Sequence, residues 1–200
     1  MVSTQVQKEL DNASEFGQRV EKIVISKKYT DGERDTLLLA YWELVSDFHR
    51  GIHALLQNEF FGSAFALIRP AMESLVRAHV ALMGTDVDVK RLRDDTYKTN
   101  FKEIGPKIDT HFGLGHVMET ALNQRTRDAL HSYTHAGLYQ LGRRFRDGEV
   151  RLNYSDAEII DTIRSVTSAL WMVTNLLMKH FGFEDDWKKV NEMYVEWGKR

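Results

Sequence analysis

Residues 123–137 read NQRTRDALHSYTHAG. His131 and His135 stand four apart, Arg125 and Arg127 lie just upstream, and Asp128 follows the second arginine. Nothing else in the chain packs so many proton-transferring and phosphate-seeking groups into one short span. On a helix the two histidines share a face one turn apart, and Arg127, four before His131, joins them. Asp128 falls near that face and Arg125 at its entry side. Histidine exchanges a proton near neutral pH. Arginine is a fixed cation that holds a phosphate through two hydrogen bonds and favours negative charge developing on it. These are the groups that phosphodiester chemistry requires. The same residues also suit a structural helix with half-buried histidines and solvated arginines. A metal site is the third and weakest reading: HxxxH supplies two ligands where zinc asks for three or four, and Asp128 offers a third but without an HExxH pattern. No metal and no cofactor is therefore expected.

Three further constellations bear on function. Arg69, Glu73 and Arg77 recur at spacing four within SAFALIRPAMESLVRAHVAL. Their alternating signs favour pairing along the helix. The segment around them is apolar enough to be central, which makes the charged line at least partly buried, and buried charges need partners. Pro70 within it lacks an amide hydrogen and frees the carbonyl of Ala66, so a kink is expected. The line is either a structural ladder or a specific polar contact. The stretch LGRRFRDGEVR gathers Arg143, Arg144, Arg146 and Arg151 around Phe145. It can guide a nucleic-acid backbone by charge with Phe145 free to stack, or it is a solvated loop. His49 and His53 repeat the four-residue spacing in DFHRGIHALL, where a core or interhelix polar contact is expected.

The chain that must position these groups has 200 residues, 42% apolar and 28% charged, with a net charge of −2. That is an ordinary globular balance, long enough to bury a core. It carries no global basic field, so nucleic-acid binding would come from a local patch. The absence of cysteine excludes disulfides, thiolate metal sites and a cysteine nucleophile, and agrees with a cytoplasmic location. The N-terminal residues lack an apolar signal core. The most apolar stretch, AEIIDTIRSVTSALWMVTNLLM, is interrupted by Glu158, Asp161 and Arg164, so it reads as a buried helix and no membrane contact is expected.

Apolar residues recur at three- and four-residue spacing and almost never alternate, which predicts an all-α fold. The expectation is one helical bundle of five or six main helices spanning residues 1–200, with an appended amphipathic helix over 183–200. Helices are predicted over about 4–27, from a TDGERD turn to Gln57, and from Ser63 to Gly84. The second and third should form an antiparallel hairpin. Short helices follow near 87–93 and 101–112, then one helix over about 118–135 that carries the opening motif. VRLNY is expected to be briefly extended. Ser155 with Glu158 makes a capping box that opens a long helix to about His180. Trp187, Val190, Tyr194 and Trp197 form a seam that suits core packing or a second subunit.

The hairpin with GSAFALIRPAMESLVRAHVAL, followed by RTRDALHSYTHAG, resembles bacterial helical proteins related to the HEPN superfamily, over roughly residues 41–176. The resemblance implies a helical bundle and metal-independent endoribonuclease activity of toxin–antitoxin or phage-defence type. It also implies a homodimer that joins two Arg-and-His motifs in one cleft, with an antitoxin or partner protein. Carried over, Arg125 and His131 match the motif's separation, with Thr126 after the arginine. Arg127–Asp128 matches its Arg-polar pair, with His131 nearer and His135 farther than the motif's spacing. RNA cleavage would use His131 or His135 as base, Arg125 or Arg127 to stabilise charge, and Asp128 to orient them, with Arg143, Arg144, Phe145 and Arg146 on the RNA. The alternative is a non-catalytic helical module that binds a partner protein, nucleotide or small ligand through Arg69, Glu73 and Arg77.

Overall fold

The computed structural model describes residues 2–113, 115–121, 123–135, 137–146, 148–150 and 153–199, without the side chains of Ala121, Gln124, Arg125, Tyr139, Phe145 and Arg146. Among the described residues the chain is all-helical apart from one two-residue ladder. The helices are α1 (Thr4–Ile25), α2 (Glu33–Gln57), α3 (Phe61–Met83), α4 (Asp86–Arg93), α5 (Phe101–Phe112), α6 (Val117–Ala121), α7 (Gln124–Thr134), α8 (Leu138–Gly142), α9 (Asp156–His180) and α10 (Glu184–Gly198). Strands β1 (Phe145–Arg146) and β2 (Glu149–Val150) pair antiparallel. VRLNY was expected to extend: β2 reaches only its Val150, Asn153 and Tyr154 are not strand, and residues 151–152 lie outside the described residues. Ten helices stand among the described residues: five long ones, α1, α2, α3, α9 and α10, and five shorter ones, of which α4 and α5 fall where short helices were expected near 87–93 and 101–112.

The frame is built from α1, α2, α3, α9 and α10. Ser3 caps α1 by accepting from the Val6 amide. One stripe of α1 then buries Val6, Leu10, Phe16 and Val20. Helices α2 and α3 form the expected hairpin, turned by Asn58–Phe60 with Glu59 in the left-handed region at φ 59°. Helix α9 opens on the predicted capping box, in which Ser155 and Glu158 satisfy each other's amides. It packs against α1, α2, α3 and α10, and every residue from Met172 to Met178 is buried. Its buried polar atoms are paired: Trp42 Nε1 donates to Thr174 Oγ1, which donates to the Leu170 carbonyl. The α10 seam is core packing within the chain, with Trp171 Nε1 donating to Asn191 and the Trp171 and Tyr194 rings stacked at 4.3 Å.

Helices α4, α5 and α7 pack on α3, with α6 against α5 and α8 against α7. Arg34 of α2 closes the α3 C-terminus by donating to the carbonyls of Ala81 and Gly84. The buried Asp109 carboxylate accepts from the amides of Met118 and Glu119 at 2.7 and 2.9 Å and so fixes α6 to α5. The single helix expected over 118–135 is two. Asn123 accepts from the Thr126 amide and restarts the helix, as a short polar side chain at an N-cap does.

Candidate functional site

Helix α7 is held on α3 by one apolar face. Leu130 and Tyr133 are buried, and the Tyr133 ring lies 5.3 Å from that of Phe65. Thr134 Oγ1, bonded to the Leu130 carbonyl, also approaches the Ala66 carbonyl at 3.5 Å, the carbonyl that Pro70 leaves without its helical donor. With that face committed, helical geometry turns Arg127, Asp128 and His131 to its flank. There they line an open groove of about 540 Å³ with Arg69 of α3 and the segment Lys98–Phe101.

Within the groove, Arg69 Nη1 and His131 Nδ1 are 2.8 Å apart, and Arg69 Nε donates to Glu73 at 2.9 Å. A guanidinium can only donate. His131 Nδ1 is therefore the acceptor, and the imidazole proton sits on Nε2. Glu73 holds the guanidinium, and the guanidinium fixes the tautomer of the histidine. His135 follows the helix: its amide donates to the His131 carbonyl, and its exposed ring lies 4.4 Å from that of His131.

The charged line on α3 is not a continuous ladder. Arg69 pairs with Glu73, while Arg77 reaches Asp95, Thr99 and the Tyr97 carbonyl, each at 3.4 Å. Arg77 thus ties the segment that forms the groove's far wall to α3. The side chains of Arg69, Glu73 and Arg77 keep 28%, 30% and 25% exposure, so the line is partly buried and not sealed.

The structure brings together Arg127, Asp128, His131 and Arg69, while the His135 ring lies 4.4 Å from that of His131, tilted by 50°, and is not part of the groove's lining. The side chain of Arg125 lies outside the described residues. Arg143 and Arg144 do not line this groove. Arg143 forms a two-pronged ion pair with Glu158, donates to the Asn153 carbonyl at 3.1 Å and lies over the Tyr154 ring. It is bound to the frame at an apolar cavity of about 820 Å³ between α3, α7 and α9. Arg144 is exposed beside Gly62 at the start of α3. Phe145 and Arg146 have no described side chains, and Arg151 lies outside the described residues. Closeness in sequence to the opening motif did not carry Arg143 into the groove, because Glu158 of α9 captures it first. Sequence reasoning missed Lys98, Thr99 and Asn100, which contribute to the groove from YKTN, a polar run with no periodicity.

Among the described residues no group of three or more His, Asp or Glu could hold a metal ion. No described helix is long and apolar enough to cross a membrane. The match to a family model covers residues 42–200, and the chain belongs to that family, DUF6988, a family of unknown function. No curated protein and no solved structure matches it.

Proposed function

We propose that this chain is a metal-independent endoribonuclease of toxin or phage-defence type, built as an HEPN-like bundle. One observation carries the reading: Arg127, Asp128 and His131 share an open groove with Arg69 and Lys98. A solvated structural helix gives no reason for cations from three separate segments to converge. The groove suits a phosphodiester, with guanidinium groups binding it through paired hydrogen bonds.

The tautomer of His131 divides the work. Its Nδ1 is engaged by Arg69, so its free edge is an Nε2–H that donates to a non-bridging phosphate oxygen. His135 is then the base. It takes the proton from a ribose 2′-hydroxyl, the 2′-oxygen bonds to phosphorus, and the bond from phosphorus to the 5′-oxygen breaks. The leaving oxygen takes a proton from water. The products are a 2′,3′-cyclic phosphate and a 5′-hydroxyl. Arg127 offsets the charge on the phosphorane, and Asp128 orients the neighbouring cation. The nucleophile belongs to the substrate, so the reaction proceeds without a metal. A homodimer fits the reading. Leu138 and Leu141 of α8 are 84% and 51% exposed, and exposed apolar side chains of this kind suit a partner surface, a second copy or an antitoxin.

The test is a labelled RNA pool in EDTA, treated with the wild type and with His131→Ala/His135→Ala. Cutting by the wild type alone, with cyclic phosphate ends, is the expected result. Equal cutting by both proteins removes the site. No cutting by a folded wild type that nevertheless binds RNA or nucleotide would favour the second reading, a non-catalytic binding module. The observation behind that module is the Glu73–Arg69–His131 chain, which already occupies the groove's polar groups with one another.

A further inference from the structure

Lys98 and Asn100 line the groove and also line a second pocket of about 400 Å³ between α3, α4 and α5. The two spaces meet at this segment. Four of the second pocket's charged side chains are paired with one another: Arg91 stands 3.9 Å from Asp88, and Lys107 donates to Glu103 at 2.9 Å. His79 forms part of its wall. That ring is 5% exposed, and its Nε2 has no hydrogen-bond partner among the described residues. A buried polar nitrogen left unpaired is costly, and such groups are normally satisfied by protein, water or ligand. Burial, with the His111 and Lys107 charges nearby, pushes His79 down to about 4, so the ring is neutral at pH 7. The Asn100 amide and the Tyr97 ring, beside a His79 ring that carries no charge, suit an uncharged heteroaromatic edge better than a phosphate. At the rim, Arg91 and Lys107 are both more than half exposed. Exposed ion pairs of this kind are worth little and exchange readily for a phosphate.

We infer that this pocket receives the nucleotide flanking the phosphate held at Arg69, Arg127 and His131, with Lys98 and Asn100 as the bridge, so that the ligand is single-stranded RNA several nucleotides long. The inference rests on the nuclease reading for the first groove and adds the substrate class. A duplex cannot present an unstacked base to such a pocket, and recognition of RNA bases by pockets falls on unpaired nucleotides. A dinucleotide would fill the groove alone and gain nothing from the second space.

The experiment measures binding and needs no turnover. Fluorescence anisotropy follows labelled 2′-O-methyl oligoribonucleotides, two and six nucleotides long, which cannot be cleaved by 2′-hydroxyl attack. Three proteins are compared: wild type, Arg91→Ala/Lys107→Ala and Arg69→Ala/Arg127→Ala, each shown folded by circular dichroism. The wild type is expected to prefer the hexamer. The Arg91/Lys107 variant should bind the hexamer about tenfold more weakly at 0.1 M salt, with a salt slope shallower by roughly 0.7 for each phosphate no longer neutralised, and bind the dinucleotide as the wild type does. The Arg69/Arg127 variant should lose both. If the Arg91/Lys107 variant binds both lengths as the wild type does, the second pocket is overturned and the first groove stands. If the wild type binds neither length, the groove reading fails and takes this inference with it.

Discussion

Two His-x-x-x-His pairs occur in this chain, and the fold puts them to opposite uses. In α2, His49 and His53 have ring centroids 4.0 Å apart and exposures of 2% and 5%. In α7, His131 and His135 are 4.4 Å apart and both exposed. The spacing and ring approach are nearly the same, so the surroundings decide the chemistry. The α2 pair faces α1 and α9. Thr167 Oγ1 donates to the Ile163 carbonyl and so accepts from His49 Nε2 at 3.3 Å. Burial, with the charges of His53 and Arg50, holds His49 well below the usual histidine range. Burial alone pushes His53 down to about 4. These rings are neutral, aromatic core residues. Of the α7 pair, His131 lines a groove with Arg69, Arg127 and Asp128, and the exposed His135 ring lies beside it. A four-residue histidine repeat therefore specifies a shared helix face and nothing more about its task.

The largest effect expected from breaking this contrast is on cleavage. His131→Ala/His135→Ala should lower the rate by about 10²- to 10⁴-fold, the usual contribution of a positioned acid or base, while the melting temperature stays put. His49→Ala/His53→Ala should do the reverse, lowering the melting temperature while the folded fraction cleaves at the wild-type rate. Measuring rate and melting curve on both double variants checks the pair at once. A rate loss in the α2 variant equal to that in the α7 variant would end the division of roles.

Acid provides the next largest effect. The folded state keeps His53 neutral down to about pH 4, whereas the unfolded chain takes up that proton near pH 6.5. A histidine with a depressed folded value therefore stabilises fully above pH 6.5, and that stability is lost as pH falls from 6.5 towards 4. For His53 the loss is about 3 kcal/mol at the lower end, at roughly 1.4 kcal/mol for each pH unit of separation. His49 and His79 add in the same direction. Urea unfolding at a series of pH values should show this slope, and His53→Leu should flatten it. An unchanged slope in that variant would assign the acid sensitivity to other groups.

The periodic parts of the chain were legible because burial there repeats. The α1 stripe, the α2–α3 hairpin and the Ser155–Glu158 start of α9 each rest on local rules that the tertiary structure did not override. The middle was legible in part: α4 and α5 fall where short helices were expected near 87–93 and 101–112, while the break between α6 and α7 and the turn of α8 were missed. Helices α6 and α8 are five residues each, too short to show a period, and α6 is placed by a polar contact, Asp109 to its amides, that no local pattern announces. The candidate site was half legible. Arg127, Asp128 and His131 share a face, as their spacing required. Arg69 was noticed for its charge pattern on α3, but its partner His131 lies 62 residues away, and no local pattern predicts that distance. The pairing of Arg143 was hidden for the same reason: its partner Glu158 lies 15 residues away on α9.

The smallest effect sharpens the comparison at the buried pair. Gly17 of α1 faces the His49 ring, and a Cβ at this position would stand 2.6 Å from His49 Cε1. Alanine is the better helix former by about 1 kcal/mol, so on propensity alone Gly17→Ala should stabilise α1. Against that, overpacking a filled core costs about 1–3 kcal/mol. The ring has little room to yield, since Thr167 holds one edge and His53 lies against it. The net expectation is a loss of about 1 kcal/mol, read as a lower urea midpoint with an unchanged slope. The companion Gly17→Ala/His49→Ala removes the ring that the new methyl meets. There the propensity gain should reappear, and the glycine substitution should change from destabilising to stabilising relative to His49→Ala. If it destabilises equally in both backgrounds, the close approach of α1 to α2 is set by backbone packing and not by the buried histidine.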